Sequence, residues 1–266
     1  MTFANSVRRG GSTALLALAL LLLHTNGQAQ GTRSSAVAKS LHNLFVAEWD
    51  YDMEQYPTWA STLGDRRWND RWEDLSMAAI LKRHNHHRDL LAKLGKIDRS
   101  ALSNADRLNY DLFKRDYELR VEGFRYRMYL LPLNQLGGVH TVNELADQLR
   151  FETVKDFDDW LGRLRTLPAH IEKTTDLLRQ GSKERIIHPK VVLQRLPSQI
   201  EHQIVSDPKA SPLYKPFTRI PAAIGESERA RLAKAAQDTI AAGVVPAYRK
   251  LREFIVSEYI PAAWDQ

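Results

Sequence analysis

The sequence predicts an all-α protein, an irregular bundle of many helices whose longest members are kinked at prolines. Apolar residues recur at the helical period along almost the whole chain. Residues that cap or stop helices bracket these segments, and no segment of convincing length alternates as a β-strand does. The composition, with 43% hydrophobic and 26% charged residues, is that of an ordinary globular protein.

The composition also excludes several classes of site. The 266 residues include no cysteine, which rules out disulfides, Cys-ligated zinc, iron–sulfur clusters and a thiol nucleophile. The formal net charge of +6 is a mild excess spread along the chain, so no nucleic-acid partner is predicted.

The first 29 residues have the pattern of a secretory signal. Arg8 and Arg9 precede the apolar run Thr13–Leu23, and Gly27 and Ala29 are the small residues of a cleavage site after Ala29. The run is shorter than the roughly 20 residues of a spanning helix. We therefore predict an exported protein, periplasmic or secreted, with no membrane association after cleavage; an uncleaved anchor stays open.

A short polar linker (30–35) precedes the helical region, which we predict over 36–266. Leu41, Leu44, Phe45 and Trp49 form one apolar face of a first helix. The predicted helices of the first half are Ala36–Gln55, Met77–Leu94 capped by Ser76, and Ser103–Tyr126 with Leu108, Leu112 and Leu119 on one stripe.

The second half shows the same period with more prolines. Thr153 and Asp156 resemble a capping box that opens a helix up to Gly181. Further helices are predicted over Pro189–Val205 and Glu226–Tyr259, with an irregular crossing segment, Asp207–Pro221, between them. Pro168 and Pro197 should kink or split their helices, and Gly243 and Pro246 should kink the last one.

The motifs of several enzyme classes are absent from the sequence. No His-Glu dipeptide occurs, so the zinc-peptidase motif HExxH is missing, as are a G-x-S-x-G elbow and a P-loop. We therefore assign no catalytic residue and no metal ligand.

Two weaker patterns have a functional and a structural interpretation. His84 and His87 are spaced i, i+3 and could share a metal, but their cationic neighbours favour a solvated basic face. Glu48 and Asp52 are spaced i, i+4 and could work as a carboxylate couple, but solvated acids are the commoner case.

The segment between two helical regions, Asn134–His140, contains a pair of glycines. Such a pair lets the backbone approach a ligand closely, and a turn with positive φ is the alternative explanation. The candidate substrate-contact residues are Asn134, Gln135, Gly137, Gly138 and His140.

Several ordered motifs together resemble one family. They are Tyr56–Asp65 (YPTWASTLGD), Leu102–Asp111 (LSNADRLNYD), Pro132–Gly138 (PLNQLGG) and Val245–Tyr248 (VPAY). In order and spacing they resemble the domain-of-unknown-function 885 family, from about Ala36 to the end of the chain.

The resemblance implies an exported, mostly helical protein of about twice this length, distantly similar to helical zinc metallopeptidases. Their HExxH lies in a C-terminal half, so zinc is expected only there and no cofactor is expected in this chain. The chain would then be the non-catalytic N-terminal portion of a hydrolase and an incomplete domain, inactive alone, covering one side of a substrate cleft for a peptide.

Two interpretations follow. In the first, the partner is the missing C-terminal half, or a second copy, bound through an exposed apolar helix face. In the second, the chain is a free-standing exported helical binding or scaffold protein. The second requires the apolar side of the helix Glu226–Tyr259 to be buried by the rest of the chain.

Overall fold

The computed structural model describes residues 35–265, and within them every regular element is a helix. The all-α prediction is confirmed for this range. The predicted signal segment 1–29 and most of the linker lie outside the described residues. Of the helices in the described range, none has the length and hydrophobicity needed to cross a membrane.

The helices follow one another along the chain, connected by short 3-10 turns. They are α1 (35–55), α2 (Pro57–Thr62), α3 (Met77–Leu94), α4 (Asn104–Gly123), α5 (Val154–Lys183), α6 (Lys190–Leu193), α7 (Leu196–Glu201), α8 (Glu226–Thr239), α9 (Val245–Phe254) and α10 (Ile260–Ala262). The longest 3-10 segments are Val139–Asp147 and Pro212–Arg219, the latter within the predicted irregular crossing segment.

Side-chain caps form the predicted starts of α3 and α5. Ser76 Oγ accepts a hydrogen bond from the Ala79 amide at 3.2 Å at the start of α3. At the start of α5, Thr153 and Asp156 form the predicted capping box, in which the Thr153 amide donates to Asp156 Oδ2 at 2.8 Å. The shorter Asp side chain therefore fills the role that Glu usually has.

Prolines shape the helices in different ways. Pro168 lies inside α5 without splitting it, whereas the helix predicted over 189–205 is split into α6 and α7, with Pro197 in the first turn of α7. The last helix continues through two π-helical segments, Ile240–Val244 and Ile255–Tyr259. Each lies just before a proline, Pro246 or Pro261, and a local change of hydrogen bonding lets a helix continue past a residue without an N–H.

The described residues divide into two compact units. In the first unit, formed by residues 35–47 and 88–118, the core consists of Leu41, Leu94, Leu102 and Tyr110. Phe45 packs on Phe113 with ring centroids 4.7 Å apart. Leu41 is thus buried as predicted, but Trp49, predicted on the same apolar face, is 51% exposed.

The predicted apolar stripe of α4 is wrong. Leu108, Leu112 and Leu119 are 59%, 62% and 48% exposed, and the buried residues of this helix are Tyr110 and Tyr117. Tyr110 and Tyr117 form a second apolar stripe on this helix. That stripe packs into the core, because aromatic rings bury more apolar area than leucine side chains do.

The second unit, formed by residues 48–87 and 119–265, has its core around α5. Phe157, Trp160 and Leu164 are almost fully buried there, and α5 packs against both α8 and α9. Tyr248 of α9 is also buried and donates its hydroxyl to the Val139 carbonyl at 2.6 Å. The second unit thereby fixes the backbone at the end of the Asn134–His140 segment.

A buried arginine on α5 organises the chain between α2 and α3. Arg163 is fully buried and donates to the carbonyl oxygens of Pro57, Trp68 and Arg71 at 3.1–3.2 Å. It also donates to Ser61 Oγ at 2.8 Å. Its guanidinium lies 5.1 Å from the centroid of the Trp72 ring, whose Nε1 donates back to the Arg163 carbonyl at 2.9 Å. Arg163 therefore supplies buried hydrogen bonds that the irregular segment 63–76 cannot make within itself.

We expect the substitution Arg163→Met to lower the free energy of unfolding by at least ~3 kcal/mol, because it removes the four hydrogen bonds and the contact with the Trp72 ring that the buried guanidinium makes. Urea denaturation measures this value. Arg165→Met, at an exposed position of the same helix, should change it by less than ~0.5 kcal/mol. Equal effects of the two substitutions would contradict the role given to Arg163.

Candidate functional site

The segment Asn134–His140 begins with a tight turn. Asn134 and Gly137 exchange backbone hydrogen bonds of 3.0 and 3.3 Å, and Asn134 Oδ1 accepts from the Leu136 amide at 2.8 Å. The Gln135 carbonyl accepts from Gln199 Nε2 at 3.0 Å. These three predicted contact residues therefore build the turn and join it to α7.

Gly138 is the residue of this segment that the backbone requires to be glycine. Its φ is +141°, and a Cβ atom there would lie 2.5 Å from Leu133 Cδ1 and 3.2 Å from the Pro132 carbonyl oxygen. Thr141 donates to the Gly138 carbonyl through its amide at 3.0 Å and its hydroxyl at 3.1 Å. The positive-φ turn predicted as the alternative is thus present at Gly138, and it does not exclude ligand contact.

Gly138 also lines a cavity of about 510 Å³ in the second unit. The cavity is bounded by the chain before α3, by α3, by α5 and by the 3-10 segment 139–147. Its polar lining includes Glu73, Arg83, Glu144 and His170, and its apolar and aromatic lining includes Trp72, Leu75, Ile80, Tyr129, Val142 and Leu145. Such a mixture suits a small ligand with both charged and apolar parts.

Two of the lining groups have shifted pKa values. Burial raises the pKa of the Glu73 carboxyl, although the positive charges of Arg83 and Arg163 oppose the shift. Burial lowers the pKa of His170 to about 4, against a hydrogen bond with the Glu73 backbone. The His170 ring stacks on Trp72 with centroids 5.5 Å apart. Shifted titratable groups in a cavity are a common property of binding sites.

His140 lies beside the cavity, not in its lining. It is 3% exposed, and neither ring nitrogen has a hydrogen-bond partner. Burial alone lowers its pKa to about 4. The backbone carbonyl of His140 accepts from Gln203 Nε2 at 2.9 Å. Of the five predicted residues, Gly138 alone is a lining residue of the cavity.

The charged residues that line the cavity were not predicted from the sequence. Glu73 lies in an irregular segment without a motif, and nothing in the sequence singles it out. His170 interrupts the apolar stripe of α5 between Leu167 and Ile171, and a lone histidine at such a position is the signal that could have indicated it.

The carboxylate pair and one histidine of the predicted His84/His87 pair meet in a buried cluster, whereas His84 stacks on Phe124. Glu48 and Asp52 on α1 and His87 on α3 are 3%, 6% and 7% exposed, and their ligand atoms lie within 4.8 Å of one another. The prediction that these acids and this histidine are solvated is therefore wrong. These side chains are covered where α1 packs against α3. One contact of this packing is the stack of Tyr51 on His86, with ring centroids 3.5 Å apart.

Comparison with known proteins identifies one family. The family model described as "Bacterial protein of unknown function (DUF885)" matches residues 57–266. No curated protein matches the chain.

We expect Gly138→Ala to destabilise the protein by about 1–3 kcal/mol, because its Cβ would meet Leu133 and its φ is strained for an L residue. Gly137→Ala is the matched control, since its Cβ would meet no atom within 4 Å. Thermal melting of both variants measures the difference. Loss of stability in Gly137→Ala alone would contradict this account of the turn.

The buried His140 should make the stability of the protein depend on pH. Its pKa is about 4 in the folded state against an ordinary 6.5, so the unfolded state binds a proton as the pH falls through this range and the folded state does not. The contribution of His140 to the free energy of unfolding is therefore fully present above pH 6.5 and is lost as the pH falls toward 4. The loss over this range should exceed that of His140→Gln by on the order of 3 kcal/mol.

Chemical denaturation at a series of pH values measures the two curves. Thr141→Val changes the neighbouring residue without removing a titratable group and should keep the wild-type pH dependence. Parallel curves for the wild type and His140→Gln would show that His140 does not carry this effect.

Proposed function

Because the chain belongs to the DUF885 family, we propose that it is the non-catalytic N-terminal helical portion of an exported metallopeptidase-like hydrolase. In this proposal it covers one side of a cleft that binds a peptide. The zinc and the HExxH motif belong to a C-terminal half that this sequence does not include.

The observation that carries the proposal is the cavity beside Gly138. The strained turn brings the backbone to the edge of a space of about 510 Å³, in which Glu73 and Arg83 offer opposite charges. A short peptide with free termini carries both charges, and its side chains can contact the Trp72 and Tyr129 surfaces. Opposite charges and apolar walls in one cavity are complementary to such a ligand.

The absence of catalytic motifs supports a non-catalytic role. The 266 residues include neither a cysteine nor a His-Glu dipeptide. The titratable groups of the cavity, Glu73 and His170, then serve binding. The His170 imidazole, whose pKa is about 4, is neutral at neutral pH and lines the cavity without adding a charge.

The exposed leucines of α4 support a partner surface. Leu108 and Leu112 lie one turn apart on α4 within the first unit, and they are 59% and 62% exposed. Exposed apolar stripes on helices are typical of surfaces that bind another protein. We propose this stripe as the apolar helix face that meets the catalytic half or a second copy.

One observation favours the alternative of a free-standing binding or scaffold protein. The apolar side of the region Glu226–Tyr259 is buried within the second unit, with Leu232, Ile240 and Tyr248 fully covered. This burial is the condition that the alternative requires. A monodisperse monomer that melts cooperatively would favour the alternative, and pairing or aggregation would favour the missing partner.

Calorimetric titration with short peptides tests the cleft. We expect tripeptides with free termini to bind the purified chain in the presence of a chelator, and Val142→Arg to weaken binding at least ~10-fold by filling the cavity. Val191→Arg is the matched control, because Val191 is exposed and lies outside the cavity. The chain should show no peptide hydrolysis, either in the chelator or in separate chelator-free samples to which zinc is added.

Three results would count against the proposal. They are absence of binding to the wild-type chain, unchanged binding to Val142→Arg, and hydrolysis that a chelator abolishes. The last would place a catalytic centre within these residues.

A further inference from the structure

We propose that Glu48, Asp52 and His87 form a binding site for one divalent transition-metal ion, with Zn²⁺ as the probe. This site is distinct from the cavity beside Gly138. The bound ion would hold α1 to α3 within the second unit and would thereby stabilise the folded protein.

The first observation is convergence. Glu48 and Asp52 are one turn apart on α1, and the fold brings them to His87 of α3 so that one ligand atom of each lies within 4.8 Å of the others. Two carboxylate oxygens and an imidazole nitrogen are ligands that Zn²⁺ accepts, and a water completes the four donors it takes. Ca²⁺, which prefers six to eight oxygens, fits this donor set less well.

The second observation is a buried oxygen that points to a ligand. Glu48 is 3% exposed, and its Oε1 has no hydrogen-bond partner. A buried carboxylate oxygen without a donor costs free energy. A cation at the centre of the three residues would supply the interaction that the surrounding protein does not give this oxygen.

The neighbouring groups orient the carboxylates. His86 Nε2 lies 2.6 Å from Glu48 Oε2, and its ring is held by the stack on Tyr51. Hydrogen bonds of this kind to ligating carboxylates are the usual surroundings of metal sites. His86 is thus a positioning residue that leaves Glu48 Oε1 for the ion.

Arg120 is the competing cation. Its Nη1 lies 3.3 Å from Asp52 Oδ2. A carboxylate has two oxygens, so one that is paired with an arginine can still bind a metal through the other. The charges of Arg120 and Arg83 both act on His87, so zinc binding in this cluster has to outweigh their repulsion.

The experiment uses the full chain without a polyhistidine tag, freed of metal by dialysis against a chelator. Zn²⁺ is titrated in competition with a chromophoric chelator, and thermal melting is followed in parallel. We expect one Zn²⁺ per chain and a rise in Tm, because the ion binds the folded state alone. Glu48→Gln and His87→Gln should each weaken binding at least ~10-fold.

Matched controls come from the same residue types outside the cluster. Glu54→Gln removes an exposed acid of α1, and His202→Gln removes an exposed histidine; both should keep the wild-type affinity and Tm shift. If the cluster variants do not fold, X-ray absorption of the zinc-loaded wild type decides. One nitrogen and otherwise oxygen ligands support the site.

Two results would overturn the proposal. They are absence of stoichiometric binding to the wild type, and binding that the controls weaken as much as the cluster variants do. Both outcomes are independent of peptide binding, which is measured in the presence of a chelator.

Discussion

The buried guanidinium of Arg163 is the interaction on which the second unit most depends. The chain between α2 and α3 contains little regular structure, so its carbonyls need donors from elsewhere. From a fully buried position on α5, Arg163 reaches two of them, those of Trp68 and Arg71, and it also donates to the Pro57 carbonyl and the Ser61 hydroxyl of α2. Burial lowers its pKa to about 10, and the hydrogen bonds keep the charged form in place. The side chain of Arg163 thus fixes an irregular segment in place, and this segment contributes Trp72 and Glu73 to one wall of the cavity.

That wall and the Gly138 turn bound the same cavity from different parts of the chain. The turn is closed by Asn134 and anchored on its far side by the Tyr248 hydroxyl, which bonds the Val139 carbonyl. Each wall is therefore supported by a buried polar contact with a core helix, Arg163 on α5 for one and Tyr248 on α9 for the other. Supports of this kind hold a cavity open without a ligand and give its lining a defined geometry.

Titratable side chains come together at the two places to which we assign binding. Glu73 and His170 meet at the cavity, and Glu48, Asp52 and His87 meet between α1 and α3. Desolvation lowers the pKa of His87 and of His170 to about 4. Burial of such groups opposes folding. The convergence of these side chains at two places is the observation on which both assignments rest.

The sequence by itself determined the all-α class and most helix limits, because caps such as Ser76 and Thr153 and breakers such as Pro197 act within one turn of the chain. It also located the strained turn at the glycine pair. Tertiary structure decided which face of α4 is buried. It also brought Glu48 next to His87, and at a separate place it brought the lining residues of the cavity together. The i, i+4 and i, i+3 spacings describe one helix at a time, and they do not say which helix lies opposite. Burial of a charged residue depends on that opposing surface. The spacings alone therefore could not show that Glu48, Asp52 and His87 form one buried cluster.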